Sequence, residues 1–105
     1  MTPPSPARAC VSVRHFFTPD GWKAFPRLFA EHQLSVASFP GFLTLRYAPV
    51  TSGDGALAAL DMVLEFENEA LLKEWRSSPQ HAMIAAAYRP YWTREPEVTF
   101  SPESH

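Results

Sequence analysis

Two alternating runs joined by a short glycine-containing link leave this chain few folds to choose from. Gly41 to Val50 reads GFLTLRYAPV, Leu57 to Glu67 reads LAALDMVLEFE, and TSGDGA lies between them. Successive side chains of a strand point to opposite faces. The first run therefore sets Leu43, Leu45 and Tyr47 against Phe42, Thr44 and Arg46. The second sets Leu60, Met62, Leu64 and Phe66 against Asp61, Val63 and Glu65. Each strand has an apolar face that needs a core, and so short a link favours an antiparallel hairpin.

The flanking sequence supplies two strands and the helices. CVSVRHFF, Cys10 to Phe17, is rich in β-branched and aromatic residues and reads as a strand. Its faces are Val11, Val13, His15 and Phe17, and Ser12, Arg14 and Phe16. Thr18-Pro19 is an N-cap and first-turn pair. Trp22, Phe25, Phe29, His32 and Val36 follow at helical spacing. The expected helix runs to about Ala37, with Pro26 either kinking it or opening a second one. Phe39-Pro40-Gly41 is a turn. Asn68 caps a helix with Leu71, Leu72 and Trp75 inward, and Ser78-Pro79 caps a further segment from Gln80 to Tyr88. A last short strand surrounds Val98 and Phe100.

The order β-α-β-β-α-β is the ferredoxin-like split βαβ pattern. It predicts an α+β fold, a four-stranded antiparallel sheet with helices on one face. The other face then carries Phe16, Phe42 and Val63 beside Arg14, Arg46, Asp61 and Glu65. A second sheet packed there covers the aromatics and pairs the charges, so a homodimer is expected.

At 105 residues a single domain is expected, over 10–101, with tails at 1–9 and 102–105. The net charge is −2 with no block of lysine or arginine, which excludes a nucleic-acid footprint. No apolar run reaches the roughly 20 residues of a membrane span, and the polar, proline-rich start has no signal core. A cytoplasmic protein with no membrane partner is expected. The single Cys10 excludes an internal disulfide and a cysteine metal cluster. The dispersed histidines lack zinc spacing, so no metal is expected. No glycine-rich loop suits a nucleotide, and no nucleophile elbow is present. Aromatic residues make up 13% of the chain, more than a small core needs, which implies a pocket or a covered interface.

Phe39, Pro40, Gly41, Phe42 and Leu43, followed by Phe66, Leu72, Trp75, Ser78 and His81, form a pattern. In order and spacing it resembles the antibiotic biosynthesis monooxygenase family of dimeric α+β barrels, from about Val11 to Phe100. The resemblance implies cofactor-independent oxygenation of a small aromatic phenol, quinol or polyketide-like substrate by a homodimer. Members also degrade haem, or bind or isomerise small metabolites. Haem-degrading members carry a histidine about where Ala85 stands and an asparagine near Arg14, and both absences count against haem. Quinone-forming members carry an asparagine where this chain has Leu71, and a tyrosine where it has His81.

Within this frame His81 is the expected catalytic base and His15 the second choice, because an imidazole titrates near neutrality. Trp75 and Tyr47 are expected to orient an aromatic ligand, with Phe29, Phe66 and Tyr88 completing the substrate-binding wall. Each residue also has a plain reading. Trp75 is a core aromatic, Ser78 a helix cap, His81 a polar helix start, and His15 and Tyr47 local hydrogen-bonding groups. His32 is expected half exposed. The competing function is a non-catalytic small-molecule-binding or structural dimer of the same fold.

Overall fold

The computed structural model describes residues 8–101. Of the two expected tails, 1–7 and 102–105 lie outside the described residues, while Ala9 already pairs with Phe66 inside the sheet. The elements are β1 (Ala9–His15), α1 (Pro19–Ala37), β2 (Phe42–Thr51), β3 (Leu57–Phe66), α2 (Glu69–Arg76), α3 (Pro79–Tyr88) and β4 (Glu97–Ser101). All strand pairs are antiparallel and the sheet order is β2-β3-β1-β4, which is the ferredoxin-like arrangement. Among the described residues no helix is long and apolar enough to cross a membrane.

Local chemistry starts each helix where the sequence places it. The Thr18 hydroxyl accepts from the Gly21 amide at 3.0 Å, the Asn68 side chain from Leu71 at 3.0 Å, and the Ser78 hydroxyl from His81 at 3.1 Å. Pro26 neither breaks nor splits α1. It removes one backbone bond on the exposed side, while Phe25, Leu28, His32 and Val36 carry a buried stripe past it. The stripe anchors both halves of α1 on the sheet.

The far face of the sheet differs from the expectation in two ways. Strict alternation fails at the start of β2, where the register shifts between Phe42 and Thr44. The extra residue turns Phe42 to the helix side, where its ring meets that of Phe66 at 6.2 Å and 79°. The charges also pair within one chain. Arg14 lies opposite Asp61 and grips it with Nε at 2.7 Å and Nη2 at 2.9 Å. Arg46 reaches Glu65 at 3.6 Å, and Arg94 lies 3.8 Å above the Phe16 ring. No second sheet is needed to pair these charges or to cover Phe16.

The core lies between the sheet and the helices, with Trp75, Phe66, Leu60, Val11 and Val36 fully buried. Val98 and Phe100 of the edge strand β4 stay 42% and 54% exposed on this same side, which leaves that end of the core open.

Candidate functional site

One face of α3 and the parity of two strands build one cavity. On α3, His81, Ile84, Ala85 and Tyr88 recur at helical spacing and form one face. Opposite them, β1 presents Val11, Val13 and His15, and β3 presents Met62 and Leu64. Valines and Ala85 face one another, and side chains this small do not fill the gap. A cavity of about 170 Å³ remains. His32 enters it from α1, Arg76 from the end of α2, and Trp92 from the segment before β4.

The polar groups converge on an otherwise apolar space. The His15 ring stacks against those of Phe17, with centroids 5.3 Å apart, and Tyr88, at 5.0 Å, which also touch each other at 6.2 Å. Its Nδ1 accepts from the Trp92 indole Nε1 at 3.1 Å, which fixes the neutral tautomer with the proton on Nε2. His32 Nδ1 lies 3.2 Å from the Tyr88 hydroxyl. Burial pushes His15 down to about 4 and does the same to His32, where the charges of His81 and His15 add to it. His81 is held below the ordinary histidine value by burial and by the charge of Arg76. Burial, helped by Glu31, pushes the Tyr88 phenol up. At neutral pH the cavity therefore presents three uncharged imidazoles and a protonated phenol, with Arg76 as the cation on its wall. Among the described residues no three histidine, cysteine or acidic side chains gather as metal ligands.

No protein-family model matches the chain, and no curated protein matches its sequence. Solved structures do match. A proposed antibiotic biosynthesis monooxygenase from Caulobacter crescentus aligns over 96% of this chain and 93% of its own, with TM-score 0.78 and 16% identity. A mutant of SnoaB, a cofactor-independent oxygenase from Streptomyces nogalater, aligns over 93% and 94%, with TM-score 0.76 and 15% identity. A Mycobacterium tuberculosis protein aligns over 94% and 98%, with TM-score 0.71 and 23% identity. The chain has the fold of the antibiotic biosynthesis monooxygenases. At these identities the likeness is one of fold, and the side chains of the site must carry any argument about chemistry.

The antibiotic biosynthesis monooxygenase fold brings together His81, His15 and Tyr88 of the residues singled out in the sequence. Trp75 stands behind the cavity wall, fully buried, with its ring 5.6 Å from that of His81 and 6.2 Å from that of His32. Its Nε1 is buried and has no hydrogen-bond partner among the described residues. Tyr47 and Phe29 are elsewhere. They form an aromatic cluster with Phe25 at 4.8 to 5.5 Å, in which Tyr47 meets both phenylalanines edge to face, and Tyr47 is half exposed. Phe66 is core and does not line the cavity. Leu71, where the resemblance implies an asparagine, packs against Gly41.

Sequence reasoning missed His32, which is buried rather than half exposed, and Arg76. The signal for His32 was present, since it sits in the apolar stripe of α1. Arg76 follows the buried Trp75 directly, and nothing in its local sequence marks it as a wall residue.

Proposed function

We propose that this protein is a cofactor-independent monooxygenase acting on a small aromatic phenol or quinol. The observation that supports it most is the apolar cavity with three uncharged imidazoles on its wall. A phenol becomes a good electron donor to O₂ once its proton is gone, and a neutral imidazole can accept that proton. His81 is the base, with His15 second; the fold resemblance and the partly open position of His81 both favour this order. Tyr88 is kept protonated and can donate to a developing oxyanion. The overall change is phenol plus O₂ to quinone plus water. One oxygen atom enters the ring, the other leaves as water, and the substrate supplies all the electrons.

His81→Gln tests the assignment. The rate with a panel of phenols and quinols is expected to fall about 10²- to 10⁴-fold. In the wild type, activity is expected to decline as pH drops through a value below the ordinary histidine range, where His81 gains a proton. Equal rates for the two proteins remove His81 as the base.

Two observations favour a second reading, a non-catalytic ligand-binding dimer. Leu71 offers no hydrogen bond where the resemblance implies an asparagine, and Trp75 does not line the cavity. Wild-type rates no higher than buffer across the panel select this reading. Both readings include a homodimer of the barrel type. The exposed Val98 and Phe100 on the edge strand β4 support it, since an apolar edge invites cover. Sedimentation should give a dimer, with about 1,600 Å² buried in a standard interface. A monomer at micromolar concentration sinks that expectation.

A further inference from the structure

Arg76 is out of place on an apolar wall. Four other arginines have acidic partners: Arg14 with Asp61, Arg27 with Glu31, Arg46 with Glu65, and Arg94 with Glu97. All four of these side chains are at least 42% exposed. Arg76 is more enclosed, and among the described residues no carboxylate pairs with it. Glu69, on the same helix, is taken by Lys73 at 3.7 Å. The neighbour that Arg76 does have is the Phe100 ring, 5.3 Å from its guanidinium carbon. A cation–π contact does not replace the hydrogen bonds of five guanidinium N–H groups. A partly desolvated cation with unused donors favours an anion, and a planar carboxylate matches its fork best.

Its position shows where that anion sits. Arg76 borders the cavity on one side and, on the other, a surface groove lined by Glu69, Leu72, Lys73, Ser77 and Phe100. Within one protomer it therefore stands where the cavity meets the surface. The cavity itself is small. At about 170 Å³ it is close to the cavity of about 150 Å³ that takes one benzene, and well under the 300 Å³ at which drug-sized pockets begin. A fused polycyclic ligand has to extend out of its open end.

We propose that the cavity binds a single-ring aromatic acid, its ring among Val11, Val13, Leu64 and Ile84 and its carboxylate on Arg76. This rests on the phenol-site reading and narrows it to the hydroxybenzoate class. With the carboxylate at the boundary, a ring hydroxyl far from it extends inward toward the buried His15 and His32, and one adjacent to it lies toward His81, whose ring feels the charge of Arg76. Arg76 is then a specificity-determining residue, which neutral phenols do not use.

Calorimetric titration without O₂ tests this directly. Benzoate and 4-hydroxybenzoate are compared with their neutral amides and with 2-naphthoate, on wild type, Arg76→Gln and Arg76→Lys. Wild type should prefer each acid to its amide by about tenfold or more, as a charge-assisted bidentate contact implies. It should bind 2-naphthoate more weakly than benzoate. Arg76→Gln should lose the preference for the acid. Arg76→Lys should recover part of it, because charge returns without the fork. Thermal unfolding confirms that both variants are folded. Equal affinity for acid and amide, unchanged acid binding in Arg76→Gln, or no acid binding at millimolar concentration overturns the proposal. Acid binding through Arg76 without any oxidation under O₂ upholds it and sinks the monooxygenase reading. Oxidation of neutral phenols with no role for Arg76 does the reverse.

Discussion

The two most buried histidines make the fold acid-labile in a calculable way. His15 is 5% exposed and His32 is 8% exposed, and burial pushes each from 6.5 to about 4. Such a group is neutral in the fold and protonated in the unfolded chain once pH drops below 6.5. Its contribution to stability is thus fully present above that value and is lost as pH falls toward about 4. At pH 5 the unfolded imidazole holds its proton and the buried one does not. The gap is about 1.5 pH units at about 1.4 kcal/mol each, or about 2 kcal/mol per histidine. Two histidines cost about 4 kcal/mol between pH 7 and pH 5, and His81, shifted the same way, adds to it. For a domain of this size that is a melting temperature lower by about 15 to 30 °C. The hydrogen bonding agrees with the sign, because protonating His15 on Nδ1 forfeits the bond from Trp92. Asp61, held below the usual carboxylate range by Arg14, titrates too low to mask the effect. Calorimetric scans at constant ionic strength between pH 7 and pH 5 measure it. His15→Phe should remove about half of the pH slope, whatever it does to the absolute stability. A melting temperature that is flat across this window refutes the reasoning, since the imidazoles are then not held neutral by burial.

Three further perturbations probe the site and its supports. Ala85→Leu adds three carbons on the cavity wall, worth up to about 2 kcal/mol if they fit, so the melting temperature should rise while ligand affinity collapses; unchanged ligand affinity means the ligand lies elsewhere. Gly41→Ala forces a side chain to φ +86° and brings its Cβ within 3.1 Å of Leu71 Cβ, so urea unfolding should show a loss of at least about 1 kcal/mol; a neutral result argues against that backbone geometry. Trp75→Phe removes a buried N–H without a partner, so stability should stay within about 1.5 kcal/mol of wild type; a loss above about 3 kcal/mol shows that the indole N–H is satisfied.

The strands, the caps of all three helices and the element order are legible in the amino-acid string because they depend on neighbours a few residues apart. Thr18, Asn68 and Ser78 accept from amides three residues on, and the β3 alternation repeats every second residue. The same locality makes the helix face of β1 readable, so the sequence alone already turns His15 toward the gap between sheet and helices. Packing across the helix–sheet gap follows a different rule. One extra residue near Leu43 reverses Phe42, and no period in the sequence announces that slip. Charges on adjacent strands find each other through register, which is why Arg14 and Asp61 pair within the chain rather than across an interface. The rotation of α1 and the ending of α2 set His32 and Arg76 on the cavity wall and leave Phe29 and Tyr47 in a cluster of their own. The cavity is a difference between large volumes, the space the backbone encloses and the side chains that fill it. Such a remainder exists only once the elements are placed in three dimensions.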